Sequence, residues 1–240
     1  MGTTALGGGR GFAFLHRSAK IPGGYEIESG SAVDAIINEG GEMRVSANGT
    51  ADNTTVNAGG KMLVSANGTA DNTTVNADGE MHVFNGGTAS GAMVNKDGGL
   101  VVSDGGTATG ATVSGSDAGI HVSNGGTADN TTLIASGGMV VSEGGVATDT
   151  TVKDDGIMLV SAGGTANNIL IDHAGYLEVY GDGIANNINT IISDFVKDYR
   201  WNLWHCTVQG PPSQLYVNNL VFIKGKDGSK KKSDGRGHCF

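Results

Sequence analysis

The chain has 240 residues, of which 42 are Gly, 3 are Pro and 5% are aromatic. That balance argues against an ordinary globular core, and glycines that ignore an every-third spacing exclude collagen. The net charge of -9 hides an asymmetry: Lys197, Arg200, Lys224, Lys226, Lys230, Lys231, Lys232 and Arg236 against Asp198, Asp227 and Asp234 give residues 197–240 a charge of +5, leaving -14 elsewhere. An acidic body without a basic groove does not suit nucleic acid, and no run of about 18 apolar residues exists to span a membrane as a helix.

Residues 1–29 are the first unit in chain order. Met1-Gly2-Thr3-Thr4-Ala5-Leu6 lacks the basic and apolar regions of a secretory signal. Phe12-Ala13-Phe14-Leu15 and Ile21-Pro22-Gly23-Gly24-Tyr25 follow no period. The first turn of a stacked array exposes unpaired strand edges, so this segment is expected to be an N-terminal cap.

Residues 30–192 are a tandem repeat. Gly30, Gly49, Gly68, Gly87, Gly106, Gly126, Gly145, Gly164 and Gly183 recur every 19 residues, with one step of 20 around Ser114-Gly115-Ser116-Asp117. Four apolar columns accompany these anchors. Ala32, Ala51, Ala70 and their equivalents through Ala185 stand two residues after each anchor, and Ile37, Val56, Val75 and equivalents stand seven after. Val45, Val64, Val83 and equivalents stand four before, with Met43, Met62, Met81, Leu100 and equivalents six before.

Positions six and four before the anchor alternate with variable residues such as Arg44, His82, His121 and Glu178, which is the period of a half-buried strand. Thr54 and Val56 form a second inward pair around Thr55. Asn48-Gly49 or Gly86-Gly87 and Gly59-Gly60 or Gly98-Gly99 are the expected corners, where glycine takes positive φ without steric cost. Each unit therefore reads as strand, corner, strand, corner. The predicted fold is all-β: a single parallel β-helix, or β-solenoid, of about nine 19-residue turns, right-handed by the usual sense of parallel crossovers, with irregular terminal caps. At a strand spacing of about 4.8 Å such a rod is on the order of 40 Å long.

The period stops after Ile192. Residues 193–224, with Trp201 and Trp204 and a strand candidate at 214–224, are expected to cap the last turn, and residues 225–240 read as a basic flexible tail. Cys206 and Cys239 permit one disulfide, which the sequence does not decide.

Candidate chemistry is sparse. Asp52 and Asp71 would sit about 5 Å apart on adjacent turns, but Ser90 and Thr109 end that file and no cationic cluster adjoins it, so no catalytic residue is assigned. His82 and His121 lie two turns apart, about 10 Å, too far to share one metal ion. No calcium-binding nonapeptide occurs, and no cofactor is expected. The Thr column (Thr50, Thr69, Thr88, Thr107, Thr127, Thr165) is interrupted by Val146 and Ile184 and reads as corner packing rather than an ice-binding ladder. Asn53, Asn72, Asn130, Asn168 and Asn187 read as a stacked amide file.

The units Val45-Ser46-Ala47-Asn48-Gly49-Thr50-Ala51 and Val102-Ser103-Asp104-Gly105-Gly106-Thr107-Ala108 resemble the 19-residue repeats of AIDA-type autotransporter adhesin passengers. The likeness covers roughly residues 25–192. It implies a bacterial surface or secreted protein that mediates adhesion, autoaggregation or biofilm formation, with partners among cell-surface glycans, proteins or copies of itself. It also implies a glycosyltransferase acting on the serines after the valine column: Ser46, Ser65, Ser103, Ser123, Ser142 and Ser161. Phe84 and Tyr180 interrupt that column, and the second serine of the family's usual pair is replaced throughout, halving the acceptor density. Read from the residues alone, the same serines turn out of the strand and bond the neighbouring corner. The family's export signal and membrane barrel are not found in this chain. The alternative reading is a structural spacer or phage-type fibre segment, which would form a stable trimer.

Overall fold

Inward apolar and outward polar residues alternate through Lys61–Val64, Glu80–Val83, Gly99–Val102 and their equivalents, and each of these segments is a strand. In the computed structural model, which describes residues 14–16, 23–28, 30–192, 206–209 and 214–222, these long strands stack in parallel, one per turn. The stacking is residue on residue: Met43 lies beside Met62, Met62 beside Met81, and Met81 beside Leu100. Ten such strands, from Gly23–Glu28 to Cys206–Gln209, form one sheet, and 18 strands, most of them only two or three residues long, form the other. No helix occurs among the described residues, and the fold is a parallel β-solenoid of about nine turns.

The second wall departs from the expected single strand. Up to Val152 it consists of two short strands per turn, such as Thr50–Asp52 and Thr55–Val56, separated by Asn53 at φ 54°, and in the last two turns these merge into Thr165–Asp172 and Ile184–Ile192. The residue four after each anchor has positive φ in every turn: Asp34, Asn53, Asn72, Gly91, Gly110, Asn130, Asp149, Asn168 and Asn187, from 50° to 67°. Asn, Asp and Gly are the residues that visit the left-handed region most easily. The bend therefore explains the Asn column before any side-chain bond is considered.

The core holds a fifth inward column. Ala35, Thr54, Thr73, Ala92, Ala111, Thr131, Thr150, Ile169 and Ile188 fill the space between the bend and the Val56 column, all buried. The nine Ala of the column two after the anchor are at most 1% exposed, so a larger side chain has nowhere to go. The Thr73 hydroxyl lies 3.8 Å from Met62 Sδ, whereas Thr54, Thr131 and Thr150 have no hydrogen-bond partner for Oγ1.

The corners divide the work between two residues. At Ser46-Ala47-Asn48-Gly49, Gly49 N–H donates to Ser46 O at 2.7 Å while Ala47 and Asn48 have φ 47° and 69°. Positive φ at both central residues is the signature of a type I′ turn. The anchor glycine is thus not the left-handed residue expected from its position. It is required because a Cβ on Gly49 would lie 2.3 Å from Ile27 O, and one on Gly68 2.2 Å from Val45 O.

The 20-residue turn keeps the stack intact, since Gly99 pairs with Gly119 and Val102 with Val122. Its extra residue lies in the corner Ser114–Ala118, and there Ala118 takes the place that glycine holds at Gly98 and Gly137.

Strand pairing continues past both ends of the periodic array. Phe14–His16 pairs with Ser31–Val33, and Gly23–Glu28 with Gly41–Ser46. Cys206–Gln209 pairs with Leu177–Tyr180, and Gln214–Phe222 with the strand Ile184–Ile192. The tryptophan-bearing part of the expected C-terminal cap, the tail at 225–240 and Cys239 lie outside the described residues.

Candidate functional site

The outward face of the long-strand sheet carries the predicted acceptor serines. Strand alternation sends Met43 and Val45 inward, so Glu42, Arg44 and Ser46 point out, and each later turn repeats this. Ser46, Ser65, Ser103, Ser123, Ser142 and Ser161 form an interrupted file at the strand exit, each half-buried. Phe84 and Tyr180 occupy the same file.

Each file residue starts a corner. Its carbonyl accepts from the anchor glycine N–H, at 2.7 Å for Ser65 and Gly68 and 2.9 Å for Ser161 and Gly164. Phe84 and Tyr180 make the same bond, at 2.9 and 3.0 Å. The turn therefore does not need a hydroxyl. The side chains differ: Ser161 Oγ donates to Val141 O at 3.2 Å, and Ser46 Oγ to Glu26 Oε1 at 3.4 Å. Among the described residues, Ser65, Ser123 and Ser142 hydroxyls bond no protein group.

Charge along this face changes from end to end. Lys61 Nζ is 2.9 Å from Glu80 Oε2 and His82 Nε2 is 3.3 Å from it. Lys61, then His82, hold the Glu80 carboxyl below the usual carboxylate range. From residue 99 to residue 161 the outward positions are Gly99, Val101, Ser103, Gly119, His121, Ser123, Gly138, Val140, Ser142, Ile157, Leu159 and Ser161. His121 is the sole titratable group in that stretch. His82 and His121 occupy one column with Val101 between them. Three or more potential metal-ligating side chains do not cluster anywhere among the described residues.

The other walls carry amide files and hydroxyls. Asn53 Nδ2 donates to Asp34 Oδ1 at 2.5 Å, Asn168 to Asp149 at 3.0 Å and Asn187 to Asn168 at 2.6 Å. A second file, which the repeat columns do not single out, links Asn38, Asn57, Asn76 and Asn95 through bonds of 2.9, 2.8 and 2.9 Å. Thr50, Thr69, Thr88, Thr107 and Thr127 face outward from the first short strand. They are strand residues and not corner packing, because the corner ends at the anchor glycine. Asp52 and Asp71 are aligned on adjacent turns, as expected, and Asp52 Oδ1 accepts from Asn72 at 3.3 Å.

Comparison with known proteins places this geometry. Residues 20–79 match the family described as the adhesin of the bacterial autotransporter system, probable stalk. A crystal structure of a TibC-catalysed hyper-glycosylated fragment of TibA superposes with a TM-score of 0.57 at 26% identity, covering 84% of this chain and 74% of that one. No curated protein sequence is significantly similar to the chain.

Proposed function

Because the solenoid is built of AIDA-type autotransporter passenger repeats, we propose that it acts as a bacterial surface adhesin-like passenger that mediates cell adhesion, autoaggregation or biofilm formation. The stalk family and the uniform β-solenoid point away from catalysis and toward a protein displayed at the cell surface or secreted. Its partners are cell-surface glycans or proteins and further copies of itself. Residues 30–192 are the working stalk, with 1–29 and 193–224 as caps and 225–240 as a basic tail.

We further assign Ser46, Ser65, Ser103, Ser123, Ser142 and Ser161 as O-glycan acceptors for a dedicated glycosyltransferase. The observation that supports this is the serine file itself: it stands outward at the strand exit, and Phe84, which has no hydroxyl, and Tyr180, which has none on Cβ, make the same backbone turn. A residue that the turn does not require is free to serve another purpose. The single chain also fills its own core, with the Val45 and Ala51 columns at most 1% exposed, so the turns bury their apolar columns without a second chain.

Display of the chain on a non-aggregating bacterial cell tests the main reading. Settling of the suspension and retention on surfaces are expected; dispersed, non-adherent cells with the chain verified at the surface would overturn it. Intact-mass spectrometry after co-expression with the cognate glycosyltransferase tests the acceptors. Hexose- or heptose-sized additions should disappear when the six serines are replaced by Ala, and an unmodified mass removes that part of the proposal.

A further inference from the structure

Tyr176, Glu178 and Tyr180 share the outward face of one long strand. Tyr176 Oη donates to Glu178 Oε2 at 2.7 Å. Glu178 beside the Tyr180 phenol pushes the phenol's pKa up. A carboxylate thus lies between two aromatic residues of one strand face, held by the Tyr176 hydroxyl.

Three carboxylates occupy this face between residues 41 and 180. Glu42 is paired with Arg44 at 2.6 Å and Glu80 with Lys61 at 2.9 Å, whereas Glu178 has no ion pair among the described residues. A carboxylate accepts at about four lone-pair sites. The Tyr176 hydroxyl leaves capacity for a cationic donor, and the outward positions of this face from Gly99 to Ser161 include no Lys or Arg.

The strand before this one supplies an apolar floor. Ile157 lies in register with Tyr176 and Leu159 with Glu178. Ile157 is 37% exposed, one of two exposed large apolar residues among those described. Aromatic rings attract ammonium groups through their quadrupoles, and an adjacent carboxylate adds charge. A ligand with a positive head and an aliphatic body would satisfy both halves.

We propose that Tyr176, Glu178 and Tyr180, with Ile157 and Leu159 as floor, form a binding site for an alkylammonium group, either a quaternary amine or a lysine side chain. The ammonium sits against Glu178 and the tyrosine rings, and its methylene chain lies on Ile157 and Leu159. The site stands independently of the adhesin reading: a chain that binds the probe but does not aggregate cells sinks that reading and leaves this one.

The test is a choline titration of the full chain followed by amide NMR. Saturable shifts are expected at 157–161 and 176–180. Glu178→Gln should weaken binding about 10-fold or more, and Tyr176→Ala and Tyr180→Ala about 2- to 30-fold each. Tyr176→Phe keeps the ring and should bind within about 3-fold of the parent. The uncharged isostere of choline, with carbon in place of nitrogen, should produce no comparable shifts. Acetylated lysine amide and its trimethylated form then distinguish a lysine ligand from a quaternary one. Equal shifts with the uncharged isostere, unchanged affinity in Glu178→Gln, or shifts centred outside 157–161 and 176–180 would overturn the proposal.

Discussion

Adjacent glycines in one corner answer to different physical demands. Gly105 has φ 79° and open space around it, the nearest atom to an added Cβ being Gly86 N at 4.0 Å. Gly106 has ordinary φ, but its Cβ would meet Val83 O at 2.2 Å. Replacing Gly106 with Ala should therefore force the turns apart and cost about 1–3 kcal/mol or more. Replacing Gly105 with Asn should cost only a few tenths, about 0.5 kcal/mol at most, because Asn67 already occupies the equivalent position at φ 64°. Urea midpoints of the two variants separate the cases, and equal losses would refute the division. A second effect lies in the core. Thr131 is 1% exposed and its hydroxyl has no partner. Thr131→Val should raise stability by about 1 kcal/mol, since the buried hydroxyl lost its water bonds on folding and regained nothing. Thr73→Val should gain less, because Thr73 Oγ1 keeps a contact with Met62 Sδ.

At the level of elements, files of identical groups act together. Asn76 both donates to Asn57 and accepts from Asn95, so Asn76→Ala breaks two bonds where Asn95→Ala breaks one. The expected costs are about 2 and about 1 kcal/mol, checked by thermal melts in the same buffer. The cross-strand pair on the long-strand face predicts a pH effect. Lys61 and His82 lower the Glu80 pKa in the folded state. The small stabilisation from this pair is present above the unfolded carboxylate value and is lost as pH falls through the lower folded one. Lys61→Met should bring the Glu80 titration back up toward the ordinary range, read by side-chain carboxyl NMR. These files also mark how far the sequence could be read. The long strands, their register and the inward columns were legible because each recurs in every turn and a one-residue slip would turn Met43 and Val45 outward. The Asn38–Asn95 ladder was not, because it spans four turns and gives way to Ser114, Ile134 and Lys153. The bend at Asn53 was hidden for a different reason: its column mixes Asn, Asp and Gly, which share a backbone preference but no side-chain character. The serine file was legible as a column, whereas Tyr180 looked like a break in it until the strand placed Glu178 between Tyr176 and Tyr180.

For the whole molecule the governing fact is that each turn touches only its neighbours, so stability is a sum over turns and interfaces between them. Removing residues 88–106 joins Gly87 to Thr107 and deletes one full period, leaving every column in place. The shortened chain should fold as a rod about 5 Å shorter, seen in the maximum dimension from X-ray scattering, with its urea transition only slightly lower. Removing residues 88–97 deletes about half a period and joins Gly87 to Gly98, so one turn loses its second wall while the next keeps both. The Ala89, Ala92 and Val94 positions are then empty, and the buried side chains of the turns on either side face a gap instead of a wall. Cavities of that size cost several kcal/mol, about 2–5 for each large residue lost, and the two halves of the rod should melt separately. If the half-period deletion proved as stable as the full-period one, the stacked turn would not be the unit of folding, and the reading of a self-sufficient single-chain rod would fail with it.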